Sequence, residues 1–160
     1  MDLAHARELL RDRPLPAALV DLDAVGRNAR TLLDRLAPGR TLRVASKSVR
    51  HVGLLRRILA LDPRISGLLC YSVPEAAWLR EQGFDDLLVA YPTVQRPALR
   101  ALTSAGGTAR VVVDAPAHVD ALAAVAAEQD LVLDAVIEVD TSWRPGGGAV
   151  HVGARRSPIR

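Results

Sequence analysis

Five short apolar runs rich in β-branched residues recur at almost constant spacing along this chain. They are Leu42–Ala45, Ile65–Cys70, Leu87–Tyr91, Ala109–Val113 and Leu131–Val139, and their starts lie 23, 22, 22 and 22 residues apart. Runs of this length bounded by turn residues read as strands buried on both faces. The segments between them carry helical spacing, as in the stripe of Val49, Val52, Leu55 and Ile58–Leu59. Pro74 opens the next segment at a favoured first-turn position and Gly83 stops it, Pro97 opens a third that ends at Gly106–Gly107, and Pro116 opens a fourth. Strictly alternating strands and helices predict a parallel sheet covered by helices.

Ahead of the first unit, Ala17–Leu22 reads as a further strand. Asp23 follows as an N-cap, and Val25, Ala29, Leu32–Leu33 and Leu36 form a helical stripe. The first dozen residues read as a short amphipathic lead-in. The chain therefore divides into residues 1–40, a lead-in with one strand and one helix, and residues 41–160, five β/α units. Two architectures share the pattern: an open, doubly wound sheet, and part of an eight-stranded (β/α)8 barrel. After the fifth run come Asp140-Thr-Ser-Trp-Arg144, a Gly-rich loop, and His151 to Arg160, with no helical spacing. That ending favours a partial TIM-type barrel, incomplete at its C-terminus, over a complete five-stranded fold with a tail. Five strands without closure are expected to leave apolar surface exposed.

Composition excludes several function classes. Apolar residues at 49% and charged residues at 24% describe a chain that folds. The longest apolar run, Ala121 to Ala127, is cut by Glu128 and Asp130, so no membrane span is predicted. The N-terminus lacks the basic-then-apolar order of a signal peptide, and the one cysteine, Cys70, permits no internal disulfide; both predict a cytoplasmic protein. A net charge of +3 is spread over arginines interleaved with acids, so no nucleic-acid partner is expected.

Of the 21 basic residues, 20 are arginine and one, Lys47, is lysine. A primary amine can lose its proton and add to an aldehyde, which a guanidinium cannot do. Lys47 follows the apolar run Leu42-Arg-Val-Ala45, at the strand end where parallel α/β folds gather functional groups. Partial desolvation is expected there, and it would favour the neutral, nucleophilic amine. A chance surface survivor is the alternative that composition alone leaves open. His51 would lie one helical turn beyond Lys47 and relay protons if a helix starts at Ser48, or it is a surface histidine without a role. Tyr71 and Tyr91 end the second and third runs, either lining a pocket or packing on the rim. The glycines at 146–148 lack the Gly-Lys-Ser/Thr ending of a phosphate loop. Asp114, Asp134 and Asp140 read as capping or solvated strand-end acids. No nucleophile elbow occurs, and one cysteine with four scattered histidines gives zinc no support, so no metal ligands are assigned.

Ala18-Leu-Val-Asp-Leu-Asp-Ala-Val25 with Arg27-Asn28, together with Arg43-Val-Ala-Ser-Lys47-Ser-Val-Arg50, resembles the alanine racemase N-terminal-domain superfamily of pyridoxal-phosphate enzymes of fold type III. The branch of D-threonine aldolases, D-serine dehydratases and related amino-acid deaminases fits better than the racemases. Gly67–Glu75, Gly83 to Pro92, Val136–Asp140 and His151–Pro158 resemble the later units, so the likeness covers nearly the whole chain. The resemblance implies pyridoxal 5'-phosphate as cofactor, Lys47 as its Schiff-base lysine, and a small amino-acid substrate. The cofactor would serve as an electron sink for a carbanion at Cα in deamination, dehydration or retro-aldol cleavage. It also implies an arginine near the ring oxygen, for which Arg144 and Arg155 are claimants; Tyr71 is assigned to the cofactor from its strand-end place, and a homodimer is expected for the full-length form. Phosphate-binding loops, and in this branch the metal ligands, belong to later segments of such enzymes. Little or no turnover is therefore predicted for these 160 residues alone. A racemase, a non-catalytic pyridoxal-phosphate carrier and a cofactor-free α/β binding domain are the alternatives.

Overall fold

A computed structural model describes residues 2–104, 106–146, 150–154 and 156–160. The lead-in holds α1 (Leu3–Leu10) and α2 (Leu22–Leu33). Then follow β1 (Leu42–Ala45), α3 (Ser46–Val49), α4 (Val52–Leu59), β2 (Ile65–Cys70), α5 (Val73–Glu81), β3 (Leu87–Val89), α6 (Arg96–Ser104), β4 (Ala109–Val113), α7 (Pro116–Gln129) and β5 (Asp134–Ile137).

The pairings between these five strands are all parallel, and the strands lie in the order β1-β2-β3-β4-β5. A doubly wound sheet reverses its strand order at a switch point. Here the order never reverses. Right-handed crossovers then deliver every connecting helix to the same face, which is the winding of a barrel arc. The core confirms this one-sidedness: Leu68, Cys70, Leu87, Val89, Val111 and Val113 of the strands pack with Leu55, Leu79, Leu99, Leu102 and Val125 of the helices. Each such fully buried leucine contributes about 1.5–3 kcal/mol.

The alternate residues point the other way, and near the amino ends of the strands they are charged. Arg43 on β1 and Arg110 on β4 both donate to Asp86 Oδ1, at 2.7 and 2.9 Å. β2 runs three residues where β1 runs two, since Leu42 pairs with Ile65 but Val44 with Leu68. Gly67 occupies this bulge at φ 70°, a conformation that a bulge commonly gives to glycine.

Three sequence expectations need correction. Residues 17–20 are exposed and form no strand, because they find no ladder partner among the described residues. The α2 cap is Asp21, whose carboxylate accepts from Ala24 N at 2.9 Å; Asp23 sits in the first turn. β3 ends before Tyr91, next to Pro92, which has no N–H to give, and β5 is only Asp134–Ile137. No helix covers β5 among the described residues, and Ile137 stays 64% exposed, the uncovered apolar surface expected of an open arc.

Candidate active site

The carboxyl ends of β1, β2 and β3 bring three side chains together. Lys47 follows β1 by two residues, Tyr71 directly follows β2, and Tyr91 follows β3 by two. The two rings lie 5.0 Å apart at 58°, and Lys47 Nζ stands 5.8 Å from the Tyr71 centroid and 5.3 Å from that of Tyr91. Tilted rings beneath an amine form a cation–π seat. No carboxylate lies within ion-pair distance of Lys47 among the described residues. Lys47 is exposed, not partly desolvated as its apolar neighbours suggested. The reason is the backbone: α3 lifts it off the strand end and onto the rim.

Lys47 shares an open cavity of about 310 Å³ with Ser46, His51, Tyr71, Glu75 and Trp78. His51 reaches it by a different path from the one its sequence spacing implied. Arg50 takes a left-handed conformation at φ 48° and ends α3. His51 is therefore the N-cap of α4, its Nδ1 accepting from Leu54 N at 3.0 Å, which leaves the neutral ring's proton on Nε2. Gly53 permits this, since a Cβ there would stand 3.1 Å from His51 Cε1.

Beneath Lys47 lies a pair that sequence reasoning missed. Ser46 is 1% exposed, and its hydroxyl lies 2.9 Å from Glu75 Oε1 and 3.2 Å from Leu69 O. Glu75 Oε2 accepts from Tyr71 N at 2.6 Å. The signal was present as Ser72-Val-Pro-Glu75, a capping-box spacing, and Ser72 Oγ does accept from Glu75 N at 3.4 Å. The carboxylate, however, turns back one residue further than in a standard box. Cys70, buried beside this pair, is no nucleophile: burial, reinforced by the Glu75 charge, pushes its thiol up to about 12.

Arg144 is placed elsewhere. Its guanidinium engages the Asp140 carboxylate and donates from Nε to His151 Nδ1 at 3.2 Å, and it does not line the Lys47 cavity. Asp140 is buried and accepts from Ser142 N at 2.9 Å, so it is neither a cap nor a solvated acid. Asp134 faces Arg110 at 3.6 Å and Asp114 faces His118 at 2.9 Å, so both pair with cations or imidazole rather than capping α7. Arg155 and residues 147–149 lie outside the described residues. Among the described residues no cluster of potential metal ligands forms, and no helix is long and apolar enough to cross a membrane.

The chain is similar to known proteins over most of its length. D-threo-3-hydroxyaspartate dehydratase of Delftia sp. (strain HT23) is 30% identical over 147 residues, which is 90% of this chain and 37% of that protein. A solved structure of the Delftia sp. HT23 dehydratase superposes with a TM-score of 0.74 at 31% identity, over 88% of this chain and 38% of that one. The crystal structure of D-threonine aldolase from Filomicrobium marinum also gives 0.74, at 27% identity, over 89% and 38% of the two chains. The chain thus spans under two fifths of the length of these relatives. Residues 20–151 match the family model described as alanine racemase, N-terminal domain, and the chain belongs to that family.

Proposed function

We propose that this chain supplies the cofactor-binding lysine of a pyridoxal-phosphate enzyme acting on amino acids by dehydratase or aldolase chemistry. The observation that carries the reading is the placement of the chain's single lysine: exposed at the carboxyl mouth of β1, seated against Tyr71 and Tyr91, and free of any carboxylate partner among the described residues. The residues suit an aldehyde-bearing aromatic cofactor. A primary amine is the side-chain group that condenses with an aldehyde, and two exposed tyrosine rings offer a flat apolar surface beside it. When bound, pyridoxal phosphate supplies an electron sink for charge developing at the substrate Cα.

The chain's own residues have distinct tasks in this reading. Lys47 would hold the cofactor through Nζ. Tyr71 and Tyr91 hold that nitrogen and screen one side of it from water. His51 presents Nε2–H at the cavity rim, within the same lining as Lys47. Arg144 pairs with Asp140 through one edge of its guanidinium, and with five N–H donors it can hold that carboxylate and still donate to the cofactor ring in this reading. Both relatives are named for β-hydroxy D-amino acids, threonine and 3-hydroxyaspartate. We assign the same substrate class to the enzyme that contains this chain, with a homodimer as its working form and neither nucleic acid nor membrane as partner.

The test is cofactor uptake. Pyridoxal phosphate is added to the chain, the yellow absorbance of the bound cofactor is read, and borohydride reduction with peptide mapping locates the label. The expected label is on Lys47, absent in both Lys47→Ala and Lys47→Arg. Matching spectra for all three proteins, or a label confined to the N-terminal amine, would leave a cofactor-free α/β domain as the better reading.

A further inference from the structure

We infer that Glu75 is a positioning residue that sets where the Lys47 amine stands. The turn carrying Lys47 has little to hold it in place by itself. α3 is only four residues long and no side chain caps it at Ala45, and helices so short do not persist unaided. Val49 packs its far end on the main core, and its polar anchors are the Ser46 hydroxyl, directed at Glu75 Oε1 and Leu69 O, and the bond from Arg50 Nε to Lys47 O at 2.9 Å.

Glu75 itself is well fixed. It lies in the first turn of α5, where the helix dipole favours a carboxylate. Around it Val73, Ala76, Ala77 and Leu79 are buried in the main core. One oxygen takes Ser46, the residue before Lys47, and the other takes the amide of Tyr71, whose ring is one wall of the lysine seat. A single carboxylate therefore ties the amine's turn and the ring's loop to the same rigid helix. Two acceptors at this reach are needed. Aspartate is one methylene short. Glutamine can accept from Tyr71 N through its oxygen and donate to Ser46 Oγ through its amide, leaving the serine proton for Leu69 O.

The functional weight of this inference rests on the cofactor reading above, but its structural content can be tested without cofactor. Because the chain has one lysine, [13C]lysine labelling gives a single ε-methylene signal, displaced upfield by the two tyrosine ring currents in the wild type. Glu75→Ala and Ser46→Ala are each expected to return that signal to the free-lysine position, and Glu75→Gln to keep it displaced. A wild-type signal already at the free-lysine position would overturn the inference. So would an undisturbed signal in Glu75→Ala, or a shift in Glu75→Ala with none in Ser46→Ala, which describes a helix cap and nothing more. Should Glu75→Ala fail to fold, the Ser46→Ala spectrum alone decides in the same sense.

A second arm measures pyridoxal phosphate affinity. Glu75→Ala and Ser46→Ala should bind about tenfold more weakly, the worth of one or two ordinary hydrogen bonds, and Glu75→Gln should match the wild type. If the wild type takes up no cofactor at Lys47, the cofactor reading fails, while the lysine signal still judges Glu75 by itself.

Discussion

Gly67→Ala offers the sharpest test of how this arc is held together. Gly67 sits in the β2 bulge at φ 70°, and a Cβ built there would fall 2.1 Å from Asp86 O and 2.4 Å from Arg43 Nη1. Asp86 O cannot simply move aside. It accepts the first β2–β3 rung from Leu68 N at 3.1 Å and the Arg43 guanidinium at 2.5 Å. Forcing an L side chain into the left-handed region costs roughly 1–2 kcal/mol. Losing the rung and the arginine contact adds roughly 1–3 kcal/mol. The sum, roughly 2–5 kcal/mol, is a large part of the stability of an ordinary domain. Gly83→Ala is the control: its φ is 85° but nothing lies within 4 Å of the added carbon, so only the backbone strain should register. With a urea slope of about 2 kcal/mol per molar, the Gly67→Ala midpoint should fall by about 1–2.5 M and that of Gly83→Ala by about 0.5–1 M. The Leu68 amide should also exchange faster with solvent in Gly67→Ala alone. Two variants with midpoints within about 0.3 M of each other would refute the claim that close backbone approach at the bulge requires glycine.

Two further outcomes follow from the site and from the charged face. His51→Ala should cost about 1 kcal/mol in thermal or urea unfolding through the lost α4 cap, and His51→Asn should restore it. If His51→Asn regains stability but still loses cofactor uptake, the ring does more than cap. At Asp86, burial pushes the carboxyl up, but the Arg43 and Arg110 guanidinium groups outweigh it and hold it below the usual range. Its stabilisation is therefore fully present above the pH where the unfolded carboxyl ionises, and is lost as pH falls through the lower folded value. Asp86→Asn, which keeps a side chain tolerant of φ 52°, should lower stability by roughly 0.5–1 kcal/mol at neutral pH, with wild type and variant converging in acid. A constant gap across an acid titration of unfolding would exclude this role.

Much of this protein is legible along the chain because its information is local or periodic. Continuous apolar strands at 22-residue intervals, with prolines opening helices and glycines closing them, leave few ways to bury the surface they create. The excess of arginine singled out Lys47, since only an amine can do aldehyde chemistry. Local reading failed where a partner lies far away in sequence. Ala17–Leu22 has strand composition, but a strand needs a ladder and none is offered among the described residues. His51 has helical spacing from Lys47, but the left-handed turn at Arg50 breaks the period. Lys47 follows apolar residues, yet it stands in the open on a short helix.

What the sequence by itself determined was a run of parallel β/α units with one amine after the first strand, since periodic patterning acts over neighbours a few residues apart. The tertiary structure alone decided that the strands wind singly, that Tyr71 and Tyr91 close on that amine, and that a glutamate 28 residues beyond Lys47 pins both the turn and the ring. Those contacts join groups whose proximity exists only once parallel pairing has aligned the strand ends, so no pattern along the chain encodes them.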